Sequence, residues 1–133
     1  MTKRLNHPQI YVNLPVSDLA ASQAFYTALG WQVIPEYTDD NASAVQVSDA
    51  IVVMLLKRDY FGRFHPKETA TADSPREVLN ALAMDTRDDV DEMIRRARGA
   101  GADVYNEPKE NQEMYYGSFA DPDGHGWEVL ANG

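Results

Sequence analysis

Residues 119–130 read FADPDGHGWEVL, and the reading of the whole chain turns on them. Asp121-Pro122-Asp123-Gly124 is turn chemistry: proline presets φ at the second position, and glycine takes the positive φ that a tight turn demands. The run that follows, from Gly126 to Leu130, is short and apolar except for Glu128, which suits a strand carrying one carboxylate. Successive side chains of a strand alternate between faces. Trp127 is therefore expected in the core, with Glu128 facing the space across the sheet. A calcium loop of the EF-hand kind is excluded. Such a loop needs glycine sixth and glutamate twelfth, whereas here they come fourth and eighth.

Working upstream, MYYGSFA (114–120) and ADVYNE (102–107) read as strands. Before them Val90, Met93, Ile94 and Ala97 recur at helical spacing. Asp88 and Asp89 stand in that helix's first turn and Arg95, Arg96 and Arg98 in its last, as the helix dipole favours. Asp91–Arg95 and Glu92–Arg96 are expected as i,i+4 ion pairs. EVLNALAMD (77–85) precedes the helix as a further strand. The first half has the same order. QIYVNL (9–14) alternates as a strand that Pro15 is expected to end. A helix capped by Ser17 or Asp18 runs to Leu29 and stops at Gly30. WQVIPEY, SAVQVS and AIVVMLLK follow as three strands. A shift of 71 positions superimposes Asp18 on Asp89, Gly30 on Gly101, Val33 on Val104 and Glu36 on Glu107. Repeated element order and matched residues together predict a duplicated βαβββ module. The expected division is module one over 9–57, a connector over 58–76, module two over 77–131, and a single domain over 1–133. The connector, RDYFGRFHPKETATADSPR, has no periodicity, and a segment of that length is usually functional or mobile.

Composition narrows the class. A chain of 133 residues supports one hydrophobic core of ordinary size. Its 44% hydrophobic and 25% charged residues are those of a globular protein. No run approaches the ~20 apolar residues of a membrane helix, and the basic start lacks the apolar stretch of a signal peptide. A cytoplasmic location is expected. There are no cysteines, which excludes disulfides and thiolate chemistry. The net charge of −9 argues against nucleic acid and anionic membrane as partners. It favours a neutral or cationic small molecule.

Two βαβββ modules, with LPVSDLAASQAFYTALGW (14–31) early and FADPDGHGWEVL late, resemble the vicinal oxygen chelate superfamily of glyoxalases, extradiol dioxygenases and bleomycin-resistance proteins. The resemblance covers nearly the whole chain. It implies an α+β fold in which tandem βαβββ modules form a cupped mixed sheet. In metal-dependent members it also implies four ligands, one each from the first, fourth, fifth and eighth strands. Carried over, those positions fall at Tyr11, Met54, Leu79 and Glu128, of which only Glu128 is a metal donor. One carboxylate does not hold a divalent cation against water, so no metal or other cofactor is expected. His7, His65 and His125 are the remaining donors that could join Glu128 in an improvised site.

The expected ligand-binding residues are Tyr11, Asn13, Met54, Phe61, Phe64, Leu79, Tyr116 and Glu128. Polar-tipped Tyr11 and Asn13 share a strand face suited to small-molecule recognition. Phe61 and Phe64, in YFGRF, are placed to fold over the cup as a lid hinged at Gly62. The reading favoured is a metal-free binder that sequesters a cationic or aromatic compound. The alternatives are a glyoxalase-like lyase or extradiol-type dioxygenase with a displaced metal site, or a metal-free enzyme with Glu128 as general base. Because each module forms only an open half, a homodimer is expected.

Overall fold

A computed structural model describes residues 1–132 and shows an α+β fold of two tandem modules. The first contains β1 (Ile10–Val16), α1 (Leu19–Ala28), β2 (Gln32–Val33), β3 (Ala42–Ser48) and β4 (Ile51–Lys57). The short helix α2 (Arg58–Phe61) opens the connector. The second module contains β5 (Leu79–Ala83), α3 (Arg87–Gly99), β6 (Asp103–Asn111), β7 (Met114–Ala120) and β8 (Gly126–Asn132). The strands form two four-stranded mixed sheets, ordered β1-β4-β3-β2 and β5-β8-β7-β6. In each, the module's first strand is an edge strand, paired in parallel with the module's last.

Local chemistry places both helices as the sequence predicts. The Asp18 carboxylate accepts the Ala21 N–H at the start of α1, and Gly30 leaves the helix at φ +103°. The Thr86 hydroxyl accepts the Asp89 N–H at the start of α3, and Gly101 takes φ +97° at its end. Val90, Met93, Ile94 and Ala97 are buried as the spacing requires. Of the two expected ion pairs, Glu92–Arg96 forms; Arg95 also turns to Glu92, and Asp91 accepts the Tyr115 hydroxyl from β7 instead of pairing with Arg95.

Pro15 does not end β1; the strand continues to Val16, with Pro15 opposite Leu56. In a parallel pair, alternate residues turn their backbone groups toward the neighbour. Ile10 N–H donates to Ala50 O at 2.8 Å, so residues 10, 12 and 14 serve β4 and residues 11, 13 and 15 face the open edge. The N–H that proline lacks lies on the side with no partner strand, so its absence removes no ladder bond. Two other strand limits also shift. Of WQVIPEY only Gln32–Val33 is strand, with a 3₁₀ turn over Pro35–Tyr37. The strand expected over 102–107 runs on to Asn111.

The modules share one core within the chain. Phe25, Tyr26 and Leu29 of α1 pack with Val53 and Leu55 of β4, with Val90 and Ile94 of α3, and with Phe119, Trp127 and Val129 of the second sheet. Tyr26 stacks on Trp31 with centroids 5.4 Å apart, and Trp127 meets both rings edge-on. No helix of the described residues is long and apolar enough to cross a membrane.

Candidate functional site

The open edge of β1 borders a cavity of about 660 Å³. Val12 and Leu14 line it together with Asn13 and Pro15, so it follows the strand's edge and not one face alone. The connector contributes Phe61, Phe64 and His65 to its lining, and the turn contributes Asp123 to Gly126. The connector is not without structure. After α2 a 3₁₀ turn covers Gly62–Phe64, and the Phe61 ring meets the His65 ring edge-on at 5.1 Å. His65 is held in turn by Thr69 Oγ1, 3.0 Å from its Nε2, and by the Lys67 N–H on Nδ1. Arg58 ties back the later part of the connector by donating to the carbonyls of Thr69 and Ala70.

The turn end of the cavity is rigid for a reason visible in its hydrogen bonds. Asp121 is 5% exposed, and its Oδ1 accepts the N–H groups of Asp123 and His125 at 3.0 and 2.8 Å. Its Oδ2 accepts the Tyr26 hydroxyl, whose oxygen accepts the Trp127 indole N–H at 3.0 Å. Gly124 closes the turn onto Asp121 O at φ +84°, as the sequence predicts. His125 Nε2 donates to Pro15 O at 2.7 Å, so that ring nitrogen carries the proton. Asp123 Oδ1 accepts the Ser17 N–H. The same turn thus forms the cavity's end and ties module two to module one. Burial pushes the Tyr26 hydroxyl well above its ordinary range, with the Asp121 charge adding to the effect. Burial likewise raises Asp121, while His125, the Tyr26 hydroxyl and the His125 backbone N–H pull it back down.

Of the eight expected ligand-binding residues, Asn13, Phe61 and Phe64 line this cavity. The other five lie off its lining. Tyr11 is 48% exposed on β1 and donates its hydroxyl to Gln9. Met54 stands beside Asn13 and Ala44 on the face away from the helices. Leu79, 46% exposed, sits opposite Gly126. Tyr116 lies opposite Leu130, with Lys109 Nζ 5.8 Å from its ring centroid. Glu128 is half-buried between Ala81 and Ser118, on the face opposite the buried Trp127. His65 and His125 line the cavity, whereas His7 precedes β1 and does not.

A family model, the Glyoxalase/Bleomycin resistance protein/Dioxygenase superfamily, matches residues 4–129. The chain belongs to this superfamily. Solved structures share the fold. A hypothetical protein, SA1046 from S. aureus, is 29% identical over 92% of both chains, with a TM-score of 0.80. A glyoxalase/bleomycin resistance protein/dioxygenase family enzyme from Burkholderia phytofirmans PsJN is 21% identical, over 92% of this chain and 96% of that one, at 0.77. A lactoylglutathione lyase from Agrobacterium tumefaciens is 19% identical, over 92% and 91%, at 0.67. No curated protein matches the sequence.

The metal that this glyoxalase-type fold implies can be tested against the side chains present. Tyr11, Met54 and Leu79 offer no nitrogen or carboxylate donor beside Glu128. Among the described residues no three His, Asp or Glu side chains converge to hold an ion. The residues do not fit a four-ligand metal site of the superfamily type.

The sequence reading missed Arg76. Its guanidinium donates through Nη1 to Gly124 O and lies over Gly126, where a Cβ would fall 2.9 Å from Cζ. Burial raises the Tyr105 phenol, Arg76 lowers it and Glu128 raises it, so both side chains lie within electrostatic reach of that hydroxyl. One signal for Arg76 was present in the sequence. Gly124 and Gly126 flank His125, and paired glycines at a turn often mark close approach of another group.

Proposed function

We propose that the protein is a metal-free small-molecule binder of the glyoxalase/bleomycin resistance type. The observation that carries this reading is the aromatic-walled cavity along β1, formed without a converging set of metal donors. The aromatic half of the expected ligand preference rests on Phe61 and Phe64. The cationic half rests on Glu128, which lies outside the cavity lining. Elemental mass spectrometry tests the reading. After incubation with Ni, Zn, Mn or Fe(II) and desalting, the protein is expected to retain well under one equivalent of metal. Stoichiometric metal that disappears in Glu128→Gln would overturn the binder in favour of a lyase or dioxygenase.

The reading includes a homodimer. Ile10 and Tyr11 on β1, Val78 and Leu79 at β5, and Tyr105 on β6 are large apolar residues left 42–58% exposed. Both first strands also have open edges. A second copy related by twofold symmetry would cover these groups and complete the open side of each sheet. Sedimentation velocity at micromolar concentration is expected to give twice the 14.9 kDa chain mass; a monomer would remove this part of the proposal.

A further inference from the structure

The strongest unassigned feature of the cavity is a guanidinium with a prepared place and no acid. The four ion pairs between described residues use Arg87, Arg95, Arg96 and Arg98, and Arg58 is spent on connector carbonyls. Arg76 pairs with no carboxylate. Of its five N–H donors, one is committed, to Gly124 O. Its position is built into the fold: Gly126 opposite Leu79 has no Cβ, and a methyl there would lie 2.9 Å from Arg76 Cζ and 3.0 Å from Nε. Gly124 supplies the anchoring carbonyl from a turn that Asp121 rigidifies. Arg76 is exposed and anchored at one nitrogen, and its remaining donors can offer a parallel pair to the two oxygens of a carboxylate.

The geometry points to a ligand class: a planar aromatic carboxylate, its acid on Arg76 and its ring against Phe61 and Phe64. The inference rests on the small-molecule reading of the cavity and replaces its cationic half, since Glu128 lies off the lining and Arg76 lies on it. Arg76 and both phenylalanines line the same space, and about 660 Å³ accommodates a bicyclic ring. Lys67, also on the lining and without an acid partner, adds positive charge on the connector side. Three acids, Glu68, Glu77 and Asp123, share the lining, but none forms an ion pair with Arg76, so its guanidinium keeps its free donors.

Isothermal titration calorimetry at low salt with 2-naphthoate, 2-naphthamide and 2-naphthylmethylamine tests the assignment. These probes share a ring and differ in charge. The native protein is expected to bind the carboxylate about tenfold or more tightly than the amide, with the amine weakest. Arg76→Gln should remove that preference while leaving amide binding in place. Gly126→Ala should do the same by displacing the guanidinium, and Phe61→Ala should weaken every probe that binds. Amide or amine binding as tight as the carboxylate would overturn the assignment and leave the binder standing, as would a carboxylate preference that survives Arg76→Gln. Failure of all three probes to bind would overturn both.

Discussion

Trp127→Ala is expected to lower the free energy of unfolding by about 4 kcal/mol, measured by urea titration, and Tm by more than about 10 °C. The indole is 1% exposed and lies at the join between modules. It meets Tyr26 at 6.0 Å and Trp31 at 5.4 Å, and its N–H donates to the Tyr26 hydroxyl. Alanine would remove a large buried ring, leave a cavity that two sheets and two helices cannot collapse into, and strip a donor from a buried network. Against typical net stabilities of about 5–15 kcal/mol, that loss threatens the fold itself. Tyr37→Ala is the control. Tyr37 is 61% exposed, and its loss is expected to change stability by less than about 0.5 kcal/mol. Equal effects at the two positions would contradict a core shared by both modules.

The placement of Trp127 was legible because strand alternation is local. Once Gly126 to Leu130 is taken as a strand, Trp127 and Glu128 must face opposite ways. The helices were equally readable, since caps and apolar spacing are written within a few residues of each other. The duplicated module was visible for the same reason twice over. Pro15 was misread because its effect depends on which side of β1 is unpaired, and pairing is not a property of residues 9–16 alone. Asp91 was misassigned because its partner, Tyr115, lies 24 residues away on another element.

The site was less legible than the fold. Phe61 and Phe64 were found from the aromatic content of the connector, whereas strand parity paired Asn13 with Tyr11 and the cavity, lined by Val12 and Leu14 as well, does not follow parity. Arg76 was not found, because nothing near it in sequence predicts that its guanidinium crosses to Gly124 and Gly126. Sites assembled from separate elements leave their signal in the groups that make room, here Gly126. Glu128 illustrates the converse. Its strand position was inferred correctly, yet strand parity says nothing about where a cavity lies relative to that face.

Asp121→Ala is expected to cost about 3 kcal/mol at pH 7, the second large effect and the one that tests how the modules are joined. The substitution leaves three donors without an acceptor: the buried Tyr26 hydroxyl and the N–H groups of Asp123 and His125. Each such orphan costs about 1–3 kcal/mol, and relief of the buried carboxylate's own desolvation offsets part of the sum. Asp121→Asn keeps one acceptor oxygen for the two backbone groups and should cost only about 1 kcal/mol. Acid titration supplies an independent check. Burial raises the folded-state pKa of Asp121, so the folded protein binds this proton more tightly than the unfolded chain does. The carboxyl's contribution is fully present below the ordinary value of 3.8 and is lost as pH rises through the raised folded value. The penalty of Asp121→Asn should therefore be larger near pH 4 than at pH 7, read as the difference between urea titrations of the two proteins. A penalty that grew toward neutrality would mean that the folded protein holds Asp121 as a favoured carboxylate. The join between modules would then depend on its charge and not on its hydrogen bonds.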